Sequence, residues 1–169
     1  MTPLNVILDS DSLVKITKVG AKDAIVDNLR ILIPPLVKKE VVDDGKDKGY
    51  PDAIIVERDI QDKKIEVVNT QKDNITENEI KSLRLKGGEQ DIYRLCKQTK
   101  FDVVSSDDQK FLELLDVVNV KTLTPCSLIV LLYHLNLLKK KEALEILHRF
   151  KWLVSDEEFE LSIAEIGGG

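Results

Sequence analysis

The run Asn5-Val6-Ile7-Leu8-Asp9-Ser10-Asp11-Ser12-Leu13-Val14 constrains this chain more than any other stretch. Apolar residues lead straight into a carboxylate, a short polar turn follows, and apolar residues then resume at helical spacing. This is the pattern of a buried parallel strand that delivers Asp9 to its carboxyl end, with a helix departing from there. Open α/β sheets bind ligands outside the carboxyl ends of their strands, which makes Asp9 a candidate metal ligand or nucleophile. The same place suits a helix cap, because Asp and Ser accept from the first helical N–H groups and a negative charge matches the dipole. What the rest of the chain brings to that edge decides between the two.

The alternation begun at Asp9 continues. Strand patterns fall at about Leu4–Leu8, Ile31–Ile33, Lys64–Asn69, Asp102–Ser105 and Val117–Leu123. Helical spacing fills the intervals: Leu13–Val19 up to Gly20, Ala21–Leu29, Leu36–Asp43 behind Pro34-Pro35, and Asp52–Asp62 behind Pro51. It resumes weakly over Asn74–Lys86, then over Glu89–Gln98 after Gly87-Gly88, and over Asp107–Leu115. The charged, glycine-flanked stretch Asp43–Gly49 is expected to be a mobile loop. Three further helices, Cys126–Leu138, Lys141–Phe150 and Asp156–Ile166, close the chain. Such alternation specifies α/β architecture with a central parallel sheet, helices on both faces, and extra C-terminal helices. The expected organisation is one domain over residues 1–166, with a core at 4–125 and a helical extension at 126–166. Residues 167–169 are expected as a disordered tail.

Composition excludes several classes. At 169 residues the chain has room for a real core, and no apolar run approaches the roughly 18 residues of a membrane span. The N-terminal residues lack a signal-peptide pattern, so a cytoplasmic location is expected. Cys96 and Cys126 stand far apart in apolar helical patterns, as reduced core residues rather than a redox or metal pair. A formal charge of −5 argues against a strongly basic nucleic-acid binder, yet it is compatible with an acidic cluster neutralised by bound cations.

Other acids fall at similar strand–helix junctions. Glu40 lies one turn inside the helix after the second strand, Glu89 and Asp91 open the helix after the double glycine, and Asp107 and Asp108 follow Val103-Val104-Ser105. Each has a plain alternative, as a cap, a dipole partner or a solvated side chain. Acids converging on one sheet edge repel one another unless a cation neutralises them, and hard oxygen donors suit Mg²⁺ or Mn²⁺.

These junctions resemble those of PIN-domain nucleases, in the family's order over roughly residues 4–125. Leu8-Asp9-Ser10-Asp11-Ser12 resembles the first strand end, and Pro34-Pro35-Leu36-Val37-Lys38-Lys39-Glu40 the Pro-x-x-Val-x-x-Glu element. Gly88-Glu89-Gln90-Asp91-Ile92 resembles the Gly-Glu-x-Glu/Asp helix start, and Val103-Val104-Ser105-Ser106-Asp107-Asp108 the strand ending in Thr/Ser and Asp. The closing Thr124-Pro125 before an apolar helix also fits. The resemblance implies a metal-dependent endoribonuclease in which Asp9, Glu40, Asp107 and one of Glu89 or Asp91 hold one or two Mg²⁺ or Mn²⁺ ions. Asp107 is preferred to Asp108, being two residues past Ser105. Asp11 stands where the family usually has a neutral Asn or Ser, and is read as an additional ligand or a group behind the ligands. Ser10 and Ser105 are either turn residues or hydrogen-bond partners of bound water or phosphate. His134 and His148 are read as ordinary helix residues.

An RNA substrate is the implied partner, with Lys38, Lys39, Arg84, Lys86 and Lys110 as candidate contacts to flanking phosphates or as plain surface charges. The resemblance also admits an antitoxin protein that silences the site, a role in RNA maturation, a homodimer built on the apolar helices Ala24–Leu29 and Ile54–Ile60, or a catalytically silent interaction module. A different enzyme class remains open beside these. Asp9-Ser10-Asp11 also resembles the Asp-x-Asp start of haloacid-dehalogenase-like phosphatases, with Asp9 as nucleophile, Asp11 as acid/base and Thr70 as phosphate contact.

Overall fold

The alternation of strands and helices closes into one sheet. In the computed structural model, which describes residues 2–167, the strands are β1 (Asn5–Leu8), β2 (Arg30–Ile33), β3 (Ile65–Val67), β4 (Val103–Ser105) and β5 (Thr122–Leu123). They lie in the order β3-β2-β1-β4-β5, every neighbour parallel. Because β1 and β2 are covered on both sides, Val6, Ile7, Leu8, Ile31 and Ile33 have no exposed surface.

The intervening helices are α1 (Ser10–Lys18), α2 (Lys22–Val26), α3 (Pro35–Lys38), α4 (Asp44–Asp47), α5 (Pro51–Gln61), α6 (Asn74–Leu83), α7 (Gly88–Gln98) and α8 (Gln109–Val117). The chain ends in α9 (Pro125–His134), α10 (Lys140–Phe150) and α11 (Asp156–Glu165). Right-handed crossovers put α1–α5 on one face of the sheet and α6–α8 on the other. α9 joins the first face against α1 and α2, and α10 and α11 pack on α9. The result is a three-layer α/β/α sandwich, as the strand pattern specified. The chain leaves β1 and β4 toward opposite faces, so a crevice opens between their carboxyl ends. This is the switch point at which such sheets bind ligands.

Three local readings are corrected. The stretch expected as a mobile loop, Asp43–Gly49, is largely helical: a π turn spans Lys39–Asp43 and α4 follows directly. Its charges are paired, Lys39 with Asp44 at 3.0 Å and Lys46 with Glu57 at 2.8 Å. Gly45 is buried, and a Cβ there would meet that of Ala53 at 3.0 Å, so the glycine marks close packing of α4 on α5 rather than a flexible joint. The strand expected from Val117 shrinks to Thr122–Leu123, because Asn119 adopts φ 59° and the Val118 and Val120 N–H groups both return to the Leu115 carbonyl. α9 stops at His134 rather than Leu138, since Asn136 takes φ 58° and ends the helix.

Gly167, at φ 72°, accepts a hydrogen bond from Lys140 Nζ at 2.7 Å. The remainder of the expected tail, Gly168 and Gly169, lies outside the described residues. On α2, Ile25 and Val26 are buried, whereas Ile54 and Ile55 of α5 remain exposed beside Tyr50. Among the described residues no helix is long and apolar enough to cross a membrane.

Candidate active site

The crevice beyond β1 and β4 is a pocket of about 390 Å³ lined by Asp9, Ser10, Asp11, Val37, Glu40, Gly88, Glu89, Asp107, Asp108 and Phe111. Four separate chain segments thus bring acids to one place: the β1–α1 junction, the π turn, the start of α7 and the β4–α8 junction.

Asp9 is both cap and pocket residue. It is the N-cap of α1, and its Oδ1 accepts from the Ser12 N–H at 2.8 Å. Burial raises its pKa, against hydrogen bonds from the Ser106 hydroxyl and from Ser12 that pull it down. An anion there is therefore short of solvation, and a cation would relieve it. Glu40 reaches the pocket from the π turn, a distortion often found at functional sites because the extra residue per turn re-aims its side chains. Its carboxylate accepts a hydrogen bond from Ser10 Oγ.

The two ambiguous pairs separate by the partners they hold. Asp108 caps α8, its Oδ1 accepting from the Lys110 and Phe111 N–H groups at 3.0 and 3.1 Å. Asp107 has no cap to make and binds Lys15 Nζ instead. Glu89 lines the pocket while accepting from the Lys86 N–H at 2.9 Å. Asp91 is not among the lining residues. It pairs at 2.7 Å with Arg94, a buried guanidinium that also binds Glu77 at 2.6 Å. Ser105 is fully buried and off the pocket, its Oγ without a hydrogen-bond partner among the described residues. Ser10 and Asp11 are lining residues, and Thr70, required by the phosphatase reading, is not.

Ser106 and Lys15 escape a reading of the sequence alone. Ser106, fully buried, bonds Asp9 and accepts the Asp108 N–H at 3.1 Å, so it ties the two junctions together. The only local hint is the Ser-x-Asp spacing of a hydroxyl turn. Lys15 lies one turn past Asp11, at 2.9 Å, and reaches across to Asp107. Burial pushes Asp107 up to about 6, with the neighbouring Asp11 adding to the rise and Lys15 opposing it. Burial also works to raise Asp11, but its bonds to Lys15 and Asp107 hold it below the usual carboxylate range.

The oxygen-only donor set fits a hard divalent ion in kind. As the side chains lie, no three His, Cys, Asp or Glu groups among the described residues are close enough to ligate one ion. Each carboxylate is held by its own partner, and loading an ion requires side-chain rearrangement. Both cysteines are free, and burial pushes Cys96 up to about 12 and Cys126 higher still, so neither is an activated thiol. His134 and His148 lie outside the pocket, on α9 and α10.

Comparison with known families adds one finding. A family model described as a PIN domain matches residues 5–167, which takes in the sheet, the pocket and the C-terminal helices. No curated protein matches the chain.

Proposed function

The chain belongs to the PIN-domain family, whose members are generally nucleases, and on that premise we propose that it is a Mg²⁺- or Mn²⁺-dependent endoribonuclease. The observation that carries this reading is the convergence of Asp9, Glu40, Glu89 and Asp107 on one pocket at the β1/β4 switch point. These four are the side chains we assign to the ion. When bound, a divalent ion supplies water activation at neutral pH and charge neutralisation on the scissile phosphate.

The protein's own groups do the remaining work. Ser106 and the Ser12 N–H fix Asp9, and Ser10 fixes Glu40. Val37 and Phe111 are the apolar residues of the lining, packed beneath the acids. Lys38, Arg84, Lys86 and Lys110 make no ion pair among the described residues and are suited to flanking phosphates, whereas Lys39 is committed to Asp44. No side-chain nucleophile is required, which sets this reading apart from the phosphatase.

The test is cleavage of a mixed single-stranded and structured RNA pool with Mn²⁺, with EDTA, and with folded Asp9→Asn and Asp107→Asn variants. Metal-dependent cutting that both variants lose supports the assignment. Equal cutting by wild type and variants overturns it.

A further inference from the structure

The pocket is lined by Asp9, Asp11, Glu40, Glu89, Asp107 and Asp108, and among the described residues by no basic side chain. Most of these carboxylates are steadied by uncharged donors: the Ser12 N–H for Asp9, Ser10 for Glu40, the Lys86 N–H for Glu89, and the first N–H groups of α8 for Asp108. Asp11 and Asp107 differ. A full positive charge, Lys15 Nζ, bonds to both of them. The ammonium comes from inside the fold, its side chain only 17% exposed, and it meets Asp107 at 15%.

Lys15 and Asp11 sit four residues apart on α1, so one helix face presents an extra acid and its counter-charge together. The Asp11 carboxylate would by itself extend the anionic lining and favour a further divalent ion. An ammonium fixed between Asp11 and Asp107 removes that effect, since a divalent ion entering there would have to displace a like charge.

We propose that Lys15 is a built-in cation beside the candidate active site, neutralising the Asp11–Asp107 side of the pocket from behind its lining so that the centre loads a single divalent ion. Lys15 is thus a positioning residue: its ion pair holds Asp107 and sets the metal stoichiometry. This inference rests on the nuclease reading above, because it presumes that the pocket takes a divalent ion.

The test is Mn²⁺ binding, read by the EPR signal of free Mn²⁺ in titrations of the wild-type chain, Lys15→Met and Lys15→Arg, each shown by circular dichroism to be folded. The expected result is one Mn²⁺ per chain in the wild type and in Lys15→Arg, and two in Lys15→Met. Asp11→Ser in the Lys15→Met background should return the count to one. Two ions in the wild type, or only one in Lys15→Met, would overturn the inference while leaving a metal-binding pocket intact. No Mn²⁺ on any of the proteins would overturn the nuclease reading, and this inference with it.

Discussion

Two lysines of the α1–α2 segment make the same local arrangement and face opposite circumstances. Lys15 holds Asp11 nearby in sequence and Asp107 far away; Lys22 holds Asp23 nearby and Asp59 far away, the latter at 2.5 Å. Both lysines are mostly buried, at 17% and 11% side-chain exposure. Around Lys22 the surroundings are balanced, with Arg58 and Lys64 lining the same hollow as Asp23, Asp59 and Asp62. Around Lys15 they are not, because Asp9, Glu40 and Glu89 line the adjoining pocket without a cation of their own. A charge-balanced buried pair is a structural lock. A pocket with unneutralised acids is strained in the absence of a ligand, and that strain is what a divalent ion would relieve.

If this contrast is right, acids near Lys15 govern activity and acids near Lys22 govern stability. The largest effect should come from Asp9→Asn. Loss of this proposed ligand should lower RNA cleavage on the order of 10³-fold or more, about 4 kcal/mol of barrier. The cap survives in part, because Asn also accepts from the Ser12 N–H. A thermal melt should therefore place the variant within a few degrees of wild type, and a collapse of the fold would erase the distinction between the two sites.

Next in size is Lys22→Ala, which strands Asp59, 6% exposed, without its partner. Breaking a buried pair from one side should cost about 3 kcal/mol, whereas replacing both residues by apolar ones of similar size should recover most of it. Denaturant unfolding reads the loss, and cleavage per folded molecule should be unchanged. A drop in activity without a drop in stability would reverse the roles assigned to the two lysines.

The two regions were unequally legible in the sequence. Asp9 and Asp107 stand out because each follows a short strand pattern, and parallel strands put such ends at one edge. Proline before α3 and the double glycine before α7 marked the junctions that carry Glu40 and Glu89. The partners of these acids were hidden, since Lys15 meets Asp107 across 92 residues and only the sheet order brings them together. The π turn that re-aims Glu40 leaves no signature in a periodic pattern. Charge and glycine in Asp43–Gly49 read as a loop because ion pairing and the close approach of Gly45 to Ala53 are tertiary facts. Val117-Val118-Asn119-Val120 read as a strand because β-branched residues favour one, yet the left-handed turn at Asn119 prevailed.

Ser106→Ala probes how Asp9 is held. The variant keeps the Ser12 N–H bond and removes the hydroxyl, which also accepts from Asp108. Supporting partners of this kind are typically worth about tenfold or more in metal affinity or activity. Mn²⁺ binding should weaken by about that factor, with Ser106→Thr restoring it. Unchanged binding would mean that the backbone alone positions Asp9.

The smallest effect separates the two lysine sites by pH. Asp107 is pushed up to about 6 in the folded protein by burial. A divalent ion must compete with that proton, so Mn²⁺ affinity should fall about tenfold for each pH unit below 6. The linkage to folding runs the other way. Since the folded chain binds this proton more tightly than the unfolded one does, the contribution of Asp107 to metal-free stability should decline as pH rises from 3.8 through about 6. Asp11, whose pKa is lowered, against the effect of burial, by its bonds to Lys15 and Asp107, acts in the opposite sense but only below 3.8, outside that window. The Lys22 site should contribute nothing to the slope between pH 5 and about 7. Burial works against its charge, but the bonds to Asp23 and Asp59 carry its pKa above 10.5, so its stabilisation is complete below that value and is lost only as pH rises through the folded pKa. Metal-free unfolding of wild type, Asp107→Asn and Lys22→Met across that range separates the two. The slope should change in Asp107→Asn and persist in Lys22→Met, and the opposite pattern would mean that the strained charge sits at the lock rather than in the pocket.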